Sequence, residues 1–420
     1  MKRSSLRGLL ALLPLILLFL SVYTLYKREK VSLIELIEEA EENSNVVQKA
    51  IRALEERLNR TGSPIVEGNK AIFFYISDAP VDVWIAGDWN GWSPSTDKLR
   101  RLAQTKFYYI IKEFPEDARV EYKFVVGEKW IPDPLNENRA LDRPDHSVLM
   151  MPEYKVSPYL SRGSRTPSGN LINLTIESKW LRRNVSLHIY TPPNYGDAKE
   201  YPTIYFQDGS EYIKYGAVTI LDNMIAEGRI KPVIAVFIDP AYRNCEYAMD
   251  EDYVRFLSEE LVPFIDSRYA TSKLREDRCL VGDSLGGLIS LYAALIRPEM
   301  FGLVVLQSAA LIPPRVLITV CPKASGDIFQ VARGPAPRIR VVMQWGKYDQ
   351  IHWINLSEEN LRMAIILREM GHEVTTLIVP EGHNWGNWIN HLPDALEELF
   401  RSSSDTQINK ISSPSTGSTD

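Results

Sequence analysis

Three residues of this chain stand where nucleophilic acyl chemistry would need them. Ser284 lies in Gly282-Asp283-Ser284-Leu285-Gly286-Gly287, directly after the apolar run Arg278-Cys279-Leu280-Val281 and directly before a helical pattern over Leu285–Ile296. A nucleophile elbow needs this combination, because the serine occupies a strained strand-to-helix turn and its small neighbours let strand and helix approach closely. Gly-x-Ser-x-Gly alone arises by chance in many chains; between a buried strand and a helix it is a specific signal. Asp283 reads as structural, with its side chain turned away from the nucleophile.

A neutral serine hydroxyl is a weak nucleophile and needs a base within hydrogen-bond reach. Position separates the six histidines. His146 falls in a β-rich segment, His188 on an early strand far from the expected loops, His372 at the wrong end of a strand, and His391 inside the last helix. His383 stands in Glu381-Gly382-His383-Asn384-Trp385, after the strand Thr375–Val379 and just before a helix. It is the expected base, with His352 as its one rival. The acid that orients it is expected at Asp349, which closes Gly346-Lys347-Tyr348-Asp349 after the strand 339–345 and yields the chain order Ser, Asp, His. Glu381 is the second candidate. Backbone N–H groups must meet the developing oxyanion. One is expected from Leu285, the other from the turn Asp208-Gly209-Ser210, where glycine lets the backbone approach a substrate.

Positioning these groups calls for a particular scaffold. Apolar β-runs at 203–206, 232–238, 278–282, 303–307, 339–345 and 375–379 alternate with helical patterns such as Asp252–Tyr269, Leu285–Ile296 and Glu358–Met370. That alternation predicts an α/β domain over 171–402, a mainly parallel sheet covered on both faces. Reactive groups in such sheets belong at the carboxyl ends of strands. Residues 155–170 read as a linker. Before them, 64–154 shows short alternating strands (71–76, 81–87, 106–114, 120–127) separated by Asp, Pro, Asn and Gly turns, the pattern of a small β-sandwich.

Residues 31–62 form a helical stalk. Leu33, Ile37, Ala40, Val47, Ile51, Leu54 and Leu58 follow a heptad seam with Ser44 in one polar position. The seam fits a coiled coil between two copies and a helix lying against the neighbouring domain equally well. Asn43-Ser44-Asn45 is a candidate break. Residues 1–30 place an uncharged stretch, Gly8–Tyr26, between Lys2, Arg3 and Arg7 and the trio Lys27, Arg28 and Lys30. As a helix it is about 28 Å long, enough to span a bilayer. With no small-residue cleavage site at its end, it is read as an uncleaved signal anchor, with the catalytic domain extracytoplasmic. The tail 403–420, rich in Ser and Thr, reads as disordered.

Composition sets further bounds. The 420 residues carry 48 basic against 54 acidic side chains, a net charge of −6, which argues against a nucleic-acid partner. Three cysteines, Cys245, Cys279 and Cys321, lack metal-ligand spacing. One disulfide is open to them, and nothing in the sequence selects the pair. Neither a metal nor a cofactor is called for.

Two resemblances sharpen the expectations. The stretches Asp208-Gly209-Ser210-Glu211-Tyr212, Asp239-Pro240 through Arg243, Glu246-Tyr247, Glu260-Leu261-Val262-Pro263, the elbow, and Gly382-His383-Asn384-Trp385 with Trp388 resemble the putative-esterase family. That family includes enterochelin, feruloyl and acetylxylan esterases, S-formylglutathione hydrolases and mycolyltransferases. The resemblance covers most of 170–400 and is strongest to the enterochelin-esterase branch. It implies an α/β-hydrolase fold and an ester hydrolase working through an acyl-enzyme. It also implies a substrate cleft lined by Asp208, Tyr212, Arg243, Glu246, Trp385 and Trp388. An ion pair bracing a loop explains Arg243 and Glu246 as well, and packing under the last helix explains the tryptophans.

The segment Gly87-Asp88-Trp89-Asn90-Gly91-Trp92, with Tyr122-Lys123-Phe124 and 130–136, resembles the early-set immunoglobulin-like domains found beside glycogen-acting enzymes. By that likeness Trp92, Lys123 and Trp130 would grip a glycan. The family's late asparagine is missing near Asp145-His146-Ser147, and a plain scaffold is the favoured alternative. Together these features point to a small-molecule or glycan ester as substrate. An inert surface glycan-binding protein and a mycolyltransferase-type acyltransferase are the competing functions.

Overall fold

The computed structural model describes residues 32–351 and 353–402. The expected anchor, the polar tail and His352 lie outside them. Among the described residues no helix is long and apolar enough to cross a membrane.

The stalk is two helices, α1 (Leu33–Glu42) and α2 (Val47–Thr61). Ser32 caps the first by accepting from the Glu35 N–H. The break falls at Asn43, whose side chain accepts from the Asn45 N–H at 3.1 Å and so competes with helix continuation. Leu33, Ile37, Ala40, Ala50 and Leu54 are buried against Ile65, Ile72, Phe74, Leu102, Phe107 and Tyr109. The apolar seam that a second copy would need is therefore covered by the chain's own strands. Of the two arrangements the seam allowed, the structure shows the helices lying against the neighbouring strands.

The strands that follow are β1 (Ile65–Glu67), β2 (Lys70–Ile76), β3 (Val83–Gly87), β4 (Asp97–Lys98), β5 (Arg100–Arg101), β6 (Phe107–Glu113), β7 (Arg119–Val126), β8 (Lys129–Ile131) and β9 (Ser147–Met150). They form two sheets of order β1-β2-β6-β5 and β4-β3-β7-β8, with β9 added to β7. The chain divides into two compact units. One holds the described residues up to Ala86 with Pro94–Glu116 and Lys123–Asn138. The other holds Gly87–Ser93, Asp117–Tyr122 and the chain from Arg139 on. Parts of the β-rich region thus belong to the unit that carries Ser284 and His383.

That second unit is built on β10 (Asn170–Ser178), β11 (Arg183–Thr191), β12 (Thr203–Phe206), β13 (Ile234–Ile238), β14 (Arg278–Asp283), β15 (Leu303–Gln307), β16 (Arg340–Gly346) and β19 (Glu373–Val379). The sheet order is β10-β11-β13-β12-β14-β15-β16-β19. Only the pairings of β11 with β10 and β13 are antiparallel, so the sheet is mainly parallel, as the alternating pattern predicted. Alternate residues point to opposite faces. Tyr205 and Val304 enter one core, while Ile204, Phe206, Leu303 and Val305 enter the other. Burial on both faces is why these strands read as unbroken apolar runs.

The helices used below are α3 (Gly209–Tyr215), α4 (Ala217–Ala226), α5 (Ser284–Ile296), α6 (Pro314–Val320), α7 (Leu356–Glu369) and α8 (Trp385–Phe400). A short hairpin, β17 (Gln350–Ile351) and β18 (Ile354–Asn355), follows β16. The helix expected over 252–269 is observed over 251–268, with a π-helical turn at Phe256–Leu261.

Candidate active site

Ser284 follows the last residue of β14 and begins α5 with φ at +51°, a conformation that costs a side-chain-bearing residue energy. The turn is tight enough that a Cβ on Gly282 would lie 2.2 Å from the Gly286 carbonyl carbon, so only glycine fits there. Asp349 follows β16 and His383 follows β19, which are hydrogen-bonded neighbours in the sheet. All three residues thus emerge at carboxyl ends of parallel strands.

The geometry joins them. Ser284 Oγ lies 3.0 Å from His383 Nε2, and His383 Nδ1 lies 2.6 Å from Asp349 Oδ1. Asp349 is buried, and the edge of the imidazole packs on the Trp388 indole with ring centroids 4.9 Å apart. With Nδ1–H donating to the carboxylate, Nε2 is left to accept from the serine hydroxyl. Leu285 is the second residue of α5, in the turn whose backbone donors lack intrahelical acceptors. Glu381, the second candidate acid, points elsewhere. Its Oε1 meets His391 Nε2 at 2.7 Å, and its Oε2 lies 3.8 Å from Arg119 Nη1.

A cleft of about 760 Å³ opens over Ser284 and Leu285. Asn244, Ile312, Arg315 and Trp353 are among its walls, which come from the short helix Arg243–Glu246, the loop before α6, α6 itself and the β17–β18 hairpin. Trp353 is 66% exposed, and Arg315 stands over its ring at 5.6 Å. A disulfide between Cys245 and Cys321 ties the residue after Asn244 to the end of α6. None of these wall residues carried a sequence motif; the only available signal was that their loops follow strand ends.

Several residues expected in the cleft serve as its supports instead. Asp208 is buried and accepts a bidentate pair from Arg243, Nε at 2.7 Å and Nη2 at 2.8 Å. Arg243 Nη2 also lies 3.5 Å from Asp283. Burial raises the pKa of both acids. The opposing pull of Arg243 tempers the rise at Asp208, whereas the Asp208 charge adds to it at Asp283, which is pushed well above the carboxylate range. Glu246 pairs with Arg183 through two bonds of 2.9 Å and accepts from the Ala241 N–H. Both ions therefore brace loops. Tyr212 is buried, its hydroxyl donating to Gln307 Oε1 at 2.9 Å. Trp385 packs on Tyr212 and Tyr215, and Trp388 on His383; both indoles belong to the core under α8.

The oxyanion turn also differs from expectation. Ser210 donates its N–H to Asp239 Oδ1 at 2.8 Å and its hydroxyl to Asp239 Oδ2 at 2.8 Å, so its backbone donor is already engaged. Gly209 heads α3, and a Cβ there would lie 2.4 Å from the Ile238 nitrogen. Its glycine is required by the approach to β13. His188, expected to be remote, bonds Ser210 Oγ and Asp239 Oδ2, each at 3.0 Å.

The three glycan-gripping candidates differ in exposure. Lys123 is buried. Trp92 donates its Nε1–H to Asp88 Oδ1 at 3.0 Å and stacks on His146, centroids 4.3 Å apart. Only Trp130 is exposed, at 40%. A stacking platform needs indole faces open to the sugar, and the hydrogen bond of Trp92 turns its ring to another purpose.

Comparison with known proteins places the chain in a family and a fold. The profile of the family described as Putative esterase matches residues 178–399. The uncharacterized protein YjcH of Bacillus subtilis is 34% identical over 237 residues, covering 53% of this chain and 94% of that protein. The endo-1,4-beta-xylanase/feruloyl esterase of Xylanibacter ruminicola is 31% identical over 251 residues, 56% of this chain and 32% of that one. In three dimensions, ferric enterobactin esterase from Salmonella typhimurium superposes with a TM-score of 0.64 at 20% identity, covering 80% of this chain and 95% of that structure, a likeness of fold. On the match of more than half its length, this chain belongs to the putative esterase family.

Proposed function

We propose that the chain is a serine carboxylesterase, on the strength of one observation: the hydrogen-bonded chain Ser284 Oγ–His383 Nε2 and His383 Nδ1–Asp349 Oδ1 at the floor of an open cleft. Ser284 Oγ adds to the ester carbonyl carbon while His383 Nε2 takes its proton. The oxyanion faces the N–H groups of Leu285 and Gly209. Collapse of this intermediate breaks the carbonyl–alkoxy bond, and the departing alcohol leaves with the proton from His383. Water then repeats the sequence on the acyl-enzyme, its proton going to His383 and back to Ser284, and a carboxylic acid departs. Asp349 holds the imidazole by its Nδ1–H and stabilises the imidazolium each time it forms.

The cleft supports an ester with an apolar or aromatic part against Ile312 and Trp353 and a polar group within reach of Arg315 and Asn244. The feruloyl esterase and enterobactin esterase relatives suggest feruloyl and enterobactin esters as the first compounds to compare with acetylated glycans. We further propose that Gly8–Tyr26 anchors the protein in a membrane with the catalytic unit outside the cytoplasm. The Cys245–Cys321 disulfide suits an oxidising compartment. The test is turnover of p-nitrophenyl esters and of this ester panel by the protein and by Ser284→Ala. Turnover that survives intact in folded Ser284→Ala excludes the mechanism, and no turnover of any ester by wild type favours an inert fold.

A further inference from the structure

His383 sits in the segment 380–384 between β19 and α8, which carries no regular secondary structure. Base catalysis depends on sub-ångström placement of the imidazole, so something outside the segment must hold it. One buried residue, through its backbone and its side chain, grips it on both sides of the histidine. The Arg119 backbone N–H donates to the Pro380 carbonyl at 3.2 Å, and its Nη1 donates to Asn384 Oδ1 at 2.9 Å. Glu381 Oε2 lies 3.8 Å from the same nitrogen. Gly386, the second residue of α8, packs closely against the guanidinium: a Cβ there would sit 2.5 Å from Arg119 Cζ.

The grip is itself anchored. Arg119 Nη2 donates to Glu121 Oε1 at 3.2 Å, and Glu121 Oε2 meets His146 Nδ1 at 3.1 Å. Gly382, next to His383, rests on the carboxyl group of Asp88, where a Cβ would lie 2.2 Å from Cγ. That carboxyl is held by the Glu121 N–H at 2.7 Å and the Trp92 indole N–H at 3.0 Å. Asp88, Arg119 and Glu121 come from the β-rich segments that share a compact unit with His383. An arginine suits the task, because a planar fork of five donors can bond in several directions at once while two carboxylates offset its buried charge.

We propose that Arg119 is a positioning residue for the general base, holding 380–384 so that His383 spans Ser284 and Asp349; this rests on the esterase reading of those residues. The alternative is a core ion pair that contributes stability alone. The two differ in what Arg119→Met does to each correctly folded molecule. With active sites counted by stoichiometric labelling of Ser284 with a fluorophosphonate, kcat per labelled site for a p-nitrophenyl ester should fall roughly 10- to 100-fold, with KM within about twofold of wild type.

Asn384→Ser provides a second, gentler arm. A serine can still cap α8 toward the Asn387 N–H but is too short to reach the guanidinium. It should lose kcat in the same way, and the double variant should lose little more than the worse single one. The low-field proton of the His383–Asp349 hydrogen bond, read by proton NMR without any substrate, should shift or broaden in both variants. Folded variants with kcat per site within about twofold of wild type and an unmoved low-field proton overturn the proposal. If Arg119→Met does not fold, Asn384→Ser decides by the same criteria. Wild type that neither labels nor turns over removes the esterase reading instead, and the NMR comparison still decides whether Arg119 places the imidazole.

Discussion

His383 makes one hydrogen bond to the nucleophile and another to an acid 34 residues earlier, and each bond defines a role. In the proposed mechanism Nδ1–H donates to Asp349, Nε2 is free to act on Ser284, and the three residues form one device whose members do not contribute additively. Ser284→Ala and His383→Ala should each lower kcat for an activated ester by several orders of magnitude, and Asp349→Asn by about 10⁴-fold, as losing a triad aspartate does elsewhere. Unchanged circular dichroism and melting would show that the fold survives. A folded Asp349→Asn with near-normal turnover would hand the acid's role to another residue. Ion pairs flank this device: Arg243 with Asp208 and Asp283 behind the elbow, Arg119 with Glu121 and Glu381 behind the histidine.

At the scale of elements, α8 is tied to the histidine segment through His391. Burial works against a charge there, but the hydrogen bonds to Asp394 and Glu381 outweigh it and raise the pKa from 6.5 to about 9. The folded state therefore holds a proton that the unfolded chain releases. The stabilisation is complete below about pH 6.5 and is lost as the pH rises through about 9. His391→Gln should be less stable than wild type near pH 6, by a margin that shrinks as denaturation is repeated toward about pH 10; a margin constant over this range would contradict the assignment. The stalk helices are held differently, by apolar burial. Ile37 and Leu54 are fully buried against the strands, so Ile37→Ala or Leu54→Ala should cost about 2–5 kcal/mol in chemical denaturation, independent of protein concentration. A coiled coil would make that loss concentration-dependent.

At the scale of the whole chain, the segment 1–30 determines where the esterase would work. If Gly8–Tyr26 is an uncleaved anchor, the full chain should stay in the membrane fraction through alkaline carbonate washing, and a chain starting at Ser32 should be soluble. A mature protein beginning near residue 27 would identify a cleaved signal instead.

What the sequence alone determined was local. A strand followed at once by Gly-x-Ser-x-Gly and a helix points to a candidate nucleophile, and a histidine after the last strand to its candidate base, and the fold brings the two side chains together. The mainly parallel sheet followed from apolar runs alternating with helical patterns, because a strand buried on both faces cannot alternate. Tertiary structure decided whatever depends on segments distant in the chain. The residues expected in the cleft had the right types but became supports, because Asp208 found Arg243 and Tyr212 found Gln307 in the interior. The heptad seam of the stalk showed that one face would be covered, but a stripe of apolar side chains does not name its partner. The brace on His383 was invisible for the same reason. Arg119 and Asn384 are 265 residues apart, and neither belongs to a motif. A hydrogen bond of that span exists only once the fold has brought its two ends together.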